Sequence, residues 1–299
     1  MSGDTDPRLQ RRRVKANGLT FECLHAGDGD RLALCLHGFP DNAGSMTPIV
    51  WRLAEEGFSA VAPYMRGYSP TDPAPDGDYS GRTLGRDAIE LAGALGDESG
   101  IETDDAVLVG HDWGAAAAYA AEWTEPGTFS KLVALALPPG FEPLLYEYPR
   151  QALRSWYMWF FRLPDVPERA LRWRNFAFID FLWGLWSPGW DYPDARINDV
   201  KETFRAEGTV ENALQYYRDT IRPPLPTLGG DRPSLEDVPA IETPTLVIAG
   251  KRDGCIGPEL FEHTDEVIED GRTVRVPGAG HFMHQERPET VCEEIVSFL

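Results

Sequence analysis

Asp105-Ala-Val-Leu-Val-Gly110-His-Asp112-Trp-Gly114-Ala-Ala-Ala-Ala-Tyr-Ala-Ala-Glu-Trp123 reads as a strand that becomes a helix with almost no loop between the two. Ala106 to Val109 has the length and β-branching of a buried strand, and Ala115 to Ala121 is rich in the best helix former. Five residues, Gly110 to Gly114, must reverse the chain. So abrupt a turn forces its middle residue into a strained backbone conformation, and a glycine two positions to either side lets it close without Cβ clashes. The apex side chain then stands clear of the sheet above a helix start. Here that side chain is a carboxylate, Asp112.

Other apolar strand runs end in loops of similar promise. Leu32 to Leu36 leads into His37-Gly38-Phe39-Pro40-Asp41, and Ala60 to Pro63 into Met65-Arg66-Gly67-Tyr68. Lys131 to Leu137 stops at Pro138-Pro139-Gly140. Thr245 to Gly250 is followed by Asp253, and Thr273 to Val276 by Gly278-Ala279-Gly280-His281. Helical patterns over Ser45 to Glu55, Leu84 to Leu95, Pro258 to Val267 and Arg287 to Leu299 alternate with these strands, and Asn17-Gly18 signals a hairpin. The alternation predicts an α/β fold with a mostly parallel sheet and helices on both faces. From Phe141 to about Pro239 strand runs vanish, and six of the nine tryptophans fall there. Pro223, Pro224, Pro226, Gly229 and Gly230 mark a linker back. Residues 1–140 and 240–299 are therefore expected to form the core domain, and residues 141–239 an inserted helical cap.

Composition excludes several function classes. The 299 residues hold 28 basic and 48 acidic side chains, a net charge of −20, with only four lysines. Nucleic acid and anionic membranes need cationic surface, so neither is an expected partner. The acidic, lysine-poor composition points to a high-salt cytoplasm or, as the alternative, simply to an acidic protein from a high-GC genome. Met1 to Arg13 is too polar for a secretion signal, and no apolar run approaches the ~18 residues of a membrane span. A soluble cytoplasmic monomer or homodimer is expected. Cys23, Cys35, Cys255 and Cys292 lack disulfide or Cys-x-x-Cys spacing and read as free thiols, and no metal-ligand spacing occurs.

The order Asp112, Asp253, His281, each at a strand end, is the nucleophile–acid–histidine order of α/β-hydrolases, whose ligands bind beyond the carboxyl ends of the strands. A carboxylate nucleophile cannot usefully attack an amide or ester, since the product would be an anhydride. It can open a strained or activated carbon centre, leaving an alkyl ester that a histidine-activated water then hydrolyses. The backbone N–H groups of Phe39 and Trp113 are the expected oxyanion donors. His284 and Glu142 are the rival histidine and acid. His37 and His111 read as loop braces, as do Asp41 and Arg66, and His25 and His263 as surface residues.

Over nearly its full length the chain resembles the epoxide hydrolases of the α/β-hydrolase fold. His-Gly-Phe-Pro at 37–40, Arg-Gly-Tyr-Ser at 66–69, Gly-His-Asp-Trp-Gly at 110–114, Gly-Lys-Arg-Asp at 250–253 and Gly-His-Phe at 280–282 carry the resemblance. It implies conversion of small apolar epoxides to vicinal diols without a cofactor. It also implies two cap tyrosines that bind the epoxide oxygen. The matching positions are Tyr157, in an aromatic run before Pro164 and Glu168, and Tyr217, in Leu214-Gln215-Tyr216-Tyr217-Arg218. Tyr146, Tyr148, Tyr192 and Tyr216 compete with them. Two rivals remain: a haloalkane or haloacid dehalogenase using the same Asp112, with Trp113 as halide donor, and a non-catalytic small-ligand receptor.

Overall fold

Strands buried on both faces must be apolar throughout, and the central strands of this protein are. The computed structural model describes residues 9–101, 103–221 and 233–299. Its eight strands are β1 (Gln10–Ala16), β2 (Leu19–Ala26), β3 (Arg31–Leu36), β4 (Phe58–Pro63), β5 (Val107–His111), β6 (Lys131–Leu135), β7 (Thr245–Gly250) and β8 (Gly271–Val276). They form one sheet in the order β1-β2-β4-β3-β5-β6-β7-β8. The Asn17-Gly18 turn joins β1 to β2, which pairs antiparallel with β4. From β4 to β8 every neighbouring pair is parallel. All residues of β4, β5 and β7 are buried.

Parallel pairing requires crossovers, and helices supply them. Thr47–Glu55, Gly81–Ser99, Trp113–Thr124 and Pro288–Phe298 cover the sheet. Pro258–Glu266, expected as an α-helix, is wound more tightly as a 3-10 helix. β6 ends two residues earlier than its apolar run, because Ala136 turns to a positive φ of 64°.

β6 and β7 are sheet neighbours, yet more than a hundred residues separate them in sequence. The described part of that stretch is helical. Its helices are Phe141–Glu147, Pro149–Arg154, Trp156–Phe161, Val166–Arg172, Ala177–Trp186, Asp194–Arg205 and Thr209–Thr220. They cross the strand ends and are fastened there by polar contacts. Trp183 Nε1 donates to Pro40 O at 2.9 Å, Tyr216 Oη to Arg66 O at 2.8 Å, and Arg196 to Asp41 Oδ1 at 2.5 Å and Asn42 Oδ1 at 2.6 Å. The proline- and glycine-rich return linker expected at 223–230 lies outside the described residues, as does the start of the charged N-terminal stretch. No described helix is long and apolar enough to cross a membrane.

The core runs through β5, so truncation there should be costly. Leu108→Ala, at a fully buried position, is expected to lower unfolding free energy by about 2–5 kcal/mol, read from the denaturant midpoint.

Candidate active site

The carboxyl ends of β3, β5, β7 and β8 bring four loops together, and the elbow after β5 sits among them. Asp112 adopts φ 52° and ψ −112°, a conformation an L residue enters only under constraint. The constraint is close packing. A Cβ on Gly110 would lie 2.1 Å from Gly114 O, and one on Gly114 would lie 2.3 Å from Leu36 O. Gly38 is equally cramped, since its Cβ would come within 2.4 Å of Asp112 Cβ.

Asp112 Oδ1 accepts the Phe39 N–H at 2.8 Å. Oδ2 faces His281 Nε2 at 3.6 Å, an ion-pair separation too long for a hydrogen bond. His281 Nδ1 lies 2.9 Å from Asp253 Oδ2. Asp253 Oδ1 accepts the N–H groups of Cys255 and Ile256, at 2.7 and 2.9 Å. The structure thus brings Asp112, Phe39, Asp253 and His281 together, and Asp253 rather than Glu142 stands beside the histidine. Trp113, expected as a second donor, makes no hydrogen bond to the Asp112 carboxylate. Its amide heads the helix Trp113–Thr124, and such bonds often tighten only when charge develops.

Electrostatics follow from burial. Burial opposes a charge on His281, but the Asp253 carboxylate, aided by Asp112, outweighs it and raises the imidazole to about 10. Burial likewise opposes ionisation of Asp112, and His281 and the Phe39 N–H overcome it, holding the carboxyl below its ordinary value. At neutral pH an imidazolium therefore lies between two carboxylates. His37 and His111 are pushed down, to about 4 and about 3, chiefly by burial, and stay neutral. His37 braces two loops: its Nδ1 donates to Gly38 O at 2.9 Å, and its Nε2 accepts from the Met65 N–H at 3.0 Å.

Tyr157 and Tyr217 hang over this floor with ring centroids 5.9 Å apart, both buried. With Asp112 and Trp113 they line a cavity of about 700 Å³ whose walls include Leu137, Phe141 and Met158. Burial, reinforced by nearby Asp112, raises the Tyr217 phenol well above its usual range, so it remains a proton donor. Three of the four competing tyrosines are engaged elsewhere. Tyr216 binds Arg66 O, Tyr148 Oη lies 2.5 Å from His263 Nε2, and Tyr192 packs on Trp183, while Tyr146 lines the cavity.

Two expectations about histidines need correction. His25 is buried, because β2 lies inside the sheet and turns it inward to Ser59 Oγ at 3.0 Å. His263 is half-buried between Tyr148 and Glu266. Three residues near the site carry no sequence signal: Cys255, whose Sγ is 3.1 Å from Tyr157 Oη; Trp186, whose ring centroid lies 4.8 Å from that of Tyr157 and 5.3 Å from that of His281; and Arg196. Among the described residues two buried trios also come within ligand range, Asp41-His111-His284 and Asp253-Cys255-His281. The second is a hydrogen-bonded network, whereas in the first both His284 ring nitrogens and His111 Nδ1 are buried without a hydrogen-bond partner and only Asp41 is well supplied with donors. Asp41 already accepts from Asn42, Arg196 and Gln285, with the Arg196 charge against it, and Asp253 accepts from two amides besides its pairing with His281.

Gly38→Ala must displace Asp112, and a shift of order 1 Å at a reacting group costs roughly 100-fold in turnover, so kcat should fall by about that factor with the fold intact by circular dichroism. The raised His281 value also has a sign. Its stabilisation is complete below the unfolded value of 6.5 and is lost as pH rises through about 10. The melting temperature should therefore decline across that window, and His281→Gln should flatten the decline.

The alpha/beta hydrolase family matches residues 33–294. An AB hydrolase superfamily protein of Bacillus subtilis, YfhM, is 31% identical over 96% of both chains. Epoxide hydrolase A of Mycobacterium tuberculosis is 29% identical over 96% of both, and epoxide hydrolase 3 of Mus musculus is 29% identical over 96% of this chain and 75% of its own. Among solved structures, a Bacillus megaterium epoxide hydrolase superimposes with a TM-score of 0.80 at 23% identity, covering 96% of this chain and 99% of the other. Epoxide hydrolase A of Mycobacterium thermoresistibile gives 0.78 at 25% identity, covering 97% and 98%. The chain belongs to the alpha/beta hydrolase family and, within it, groups with the epoxide hydrolases.

Proposed function

We propose that this protein hydrolyses apolar epoxides to vicinal diols through a covalent ester on Asp112. The observation that carries the reading is the split environment of that carboxylate. Oδ1 is held by the Phe39 N–H, and Oδ2 is free of hydrogen bonds below two phenols. Residues 141–239 act as the cap that supplies those phenols, and the cavity accommodates a bulky apolar substituent.

The cycle follows from these positions. An epoxide enters with its oxygen between Tyr157 and Tyr217. Oδ2 attacks a ring carbon, the carbon–oxygen bond breaks, and the phenols stabilise the developing alkoxide. Ester formation removes the Asp112 charge, and with it part of what raised His281. The imidazolium proton can then pass to the alkoxide, leaving His281 neutral. Held by Asp253, it takes a proton from water, which attacks the ester carbon. Negative charge collects on Oδ1, already at the Phe39 N–H, with the Trp113 amide closing on it. Collapse releases the diol with Oδ2 as one hydroxyl oxygen, and the free acid gives its proton to the departing alkoxide. Asp112 and the His281 imidazolium are restored.

A haloalkane-cleaving reading has one observation in its favour. The Trp186 Nε1 is buried without a hydrogen-bond partner near Tyr157 and His281, and with Trp113 it could offer a leaving halide two indoles.

Aryl epoxides and haloalkanes offered in parallel separate the readings: diol is expected, and halide release without diol overturns the epoxide assignment. In a single turnover in heavy-oxygen water the first diol should be unlabelled, whereas label in it excludes the ester. Asp112→Ala should abolish turnover, and His281→Gln should trap an adduct of enzyme plus epoxide by mass. Alkylation should persist well below neutral pH, because Asp112 is held ionised. Ester hydrolysis should rise with pH to a midpoint below about 10, because the ester has lost the charge that helped to raise His281.

A further inference from the structure

Cys255 is buried to 0% exposure two residues after Asp253, and the cycle above gives it no part. Its backbone is fixed from both sides. The N–H donates to Asp253 Oδ1 at 2.7 Å, and the carbonyl accepts from Gln151 Nε2 at 2.9 Å. Gln151 Oε1 in turn receives the Gly257 N–H at 2.8 Å, while the Gly254 N–H donates to Trp186 O at 2.9 Å. A side chain with one rotatable bond on so constrained a backbone has little freedom. Its sulfur rests 3.1 Å from Tyr157 Oη, itself buried beneath Trp186 and Tyr217.

Either atom can donate in this contact, and only one arrangement leaves Tyr157 a proton for a ligand. A phenol has one proton to donate and a thiol has one. Should Tyr157 spend its proton on sulfur, a weak acceptor, nothing would remain for a ligand oxygen. The reverse arrangement satisfies both groups. Burial and the nearby Asp253 charge keep the thiol protonated, raising it well above its usual value. The S–H is therefore available as a donor throughout.

We propose that Cys255 is a positioning residue for ring opening: its thiol donates to Tyr157 Oη and so directs the single phenolic proton of Tyr157 at the oxygen of a bound epoxide. The inference rests on the assignment of Tyr157 above. As charge grows on the epoxide oxygen, part of it is drawn onto Oη, and the hydrogen bond from the thiol to Oη strengthens. No proton leaves sulfur and no bond to it forms. Cys255 thus acts on the alkylation half-reaction and leaves ester hydrolysis alone.

The test is single-turnover kinetics with styrene oxide on the full-length chain, comparing Cys255→Ala, Cys255→Ser, Tyr157→Phe and the double variant Cys255→Ala/Tyr157→Phe. Losing one neutral hydrogen bond predicts an alkylation rate lower by about 3–10-fold in Cys255→Ala, with the hydrolysis rate unchanged. Cys255→Ser, which keeps a donor, should recover most of it. In the Tyr157→Phe background, removing the thiol should add no further loss. Unchanged alkylation in Cys255→Ala, or an equal loss with and without the Tyr157 hydroxyl, overturns the proposal. Normal alkylation in Tyr157→Phe alone has a different signature: it removes the Tyr157 assignment, and this proposal with it. Thermal melts show whether Cys255→Ala folds, and a slow step restored by Cys255→Ser excludes a packing defect as the cause.

Discussion

A carboxylate kept at the buried end of a central strand is expensive to ionise, and the surroundings of Asp112 are arranged to meet that cost. One amide and one imidazolium serve Asp112, and two amides and the same imidazolium serve Asp253. The neighbouring histidines do not share the task. Burial keeps His37 and His111 neutral, so of these three imidazoles His281 alone carries positive charge. Such an arrangement suits the proposed cycle, in which alkylation of Asp112 weakens the hold on the proton that moves next.

Much of this was legible because the relevant signals are local. Gly110 to Gly114 encodes a tight turn in five residues, and the structure shows the contacts that make both glycines necessary. Strand runs were readable where burial on both faces demands unbroken apolar sequence, as in β5 and β7. The fit was poorer where local pattern and tertiary setting part company. His25 looks like a surface residue within a polar hairpin, and only pairing with β4 turns it inward.

What sequence could not yield are contacts made by the inserted helices with distant loops. Tyr157 meets Cys255 across 98 positions, and Arg196 meets Asp41 across 155. No periodicity or motif specifies such pairs, because they depend on how the helices settle across the strand ends. The trio Asp41, His111 and His284 is the converse case. Ligand spacing along the chain was absent, yet three loops bring the groups within 4.8 Å, and only the geometry shows that Asp41 is already saturated with donors.

The grip of Arg196 on the strand-end loops ties together segments that lie outside the cavity lining. Its guanidinium binds Asp41 and Asn42, which follow Phe39, and Gln285, four residues beyond His281. Any change of shape on that side reaches the reacting groups. The cavity wall at Met158 and Ile221 is built from other residues. A lineage adapting to a new epoxide can reshape that wall by small steps while the reaction centre is left undisturbed, so the fold separates what must be preserved from what is open to experiment.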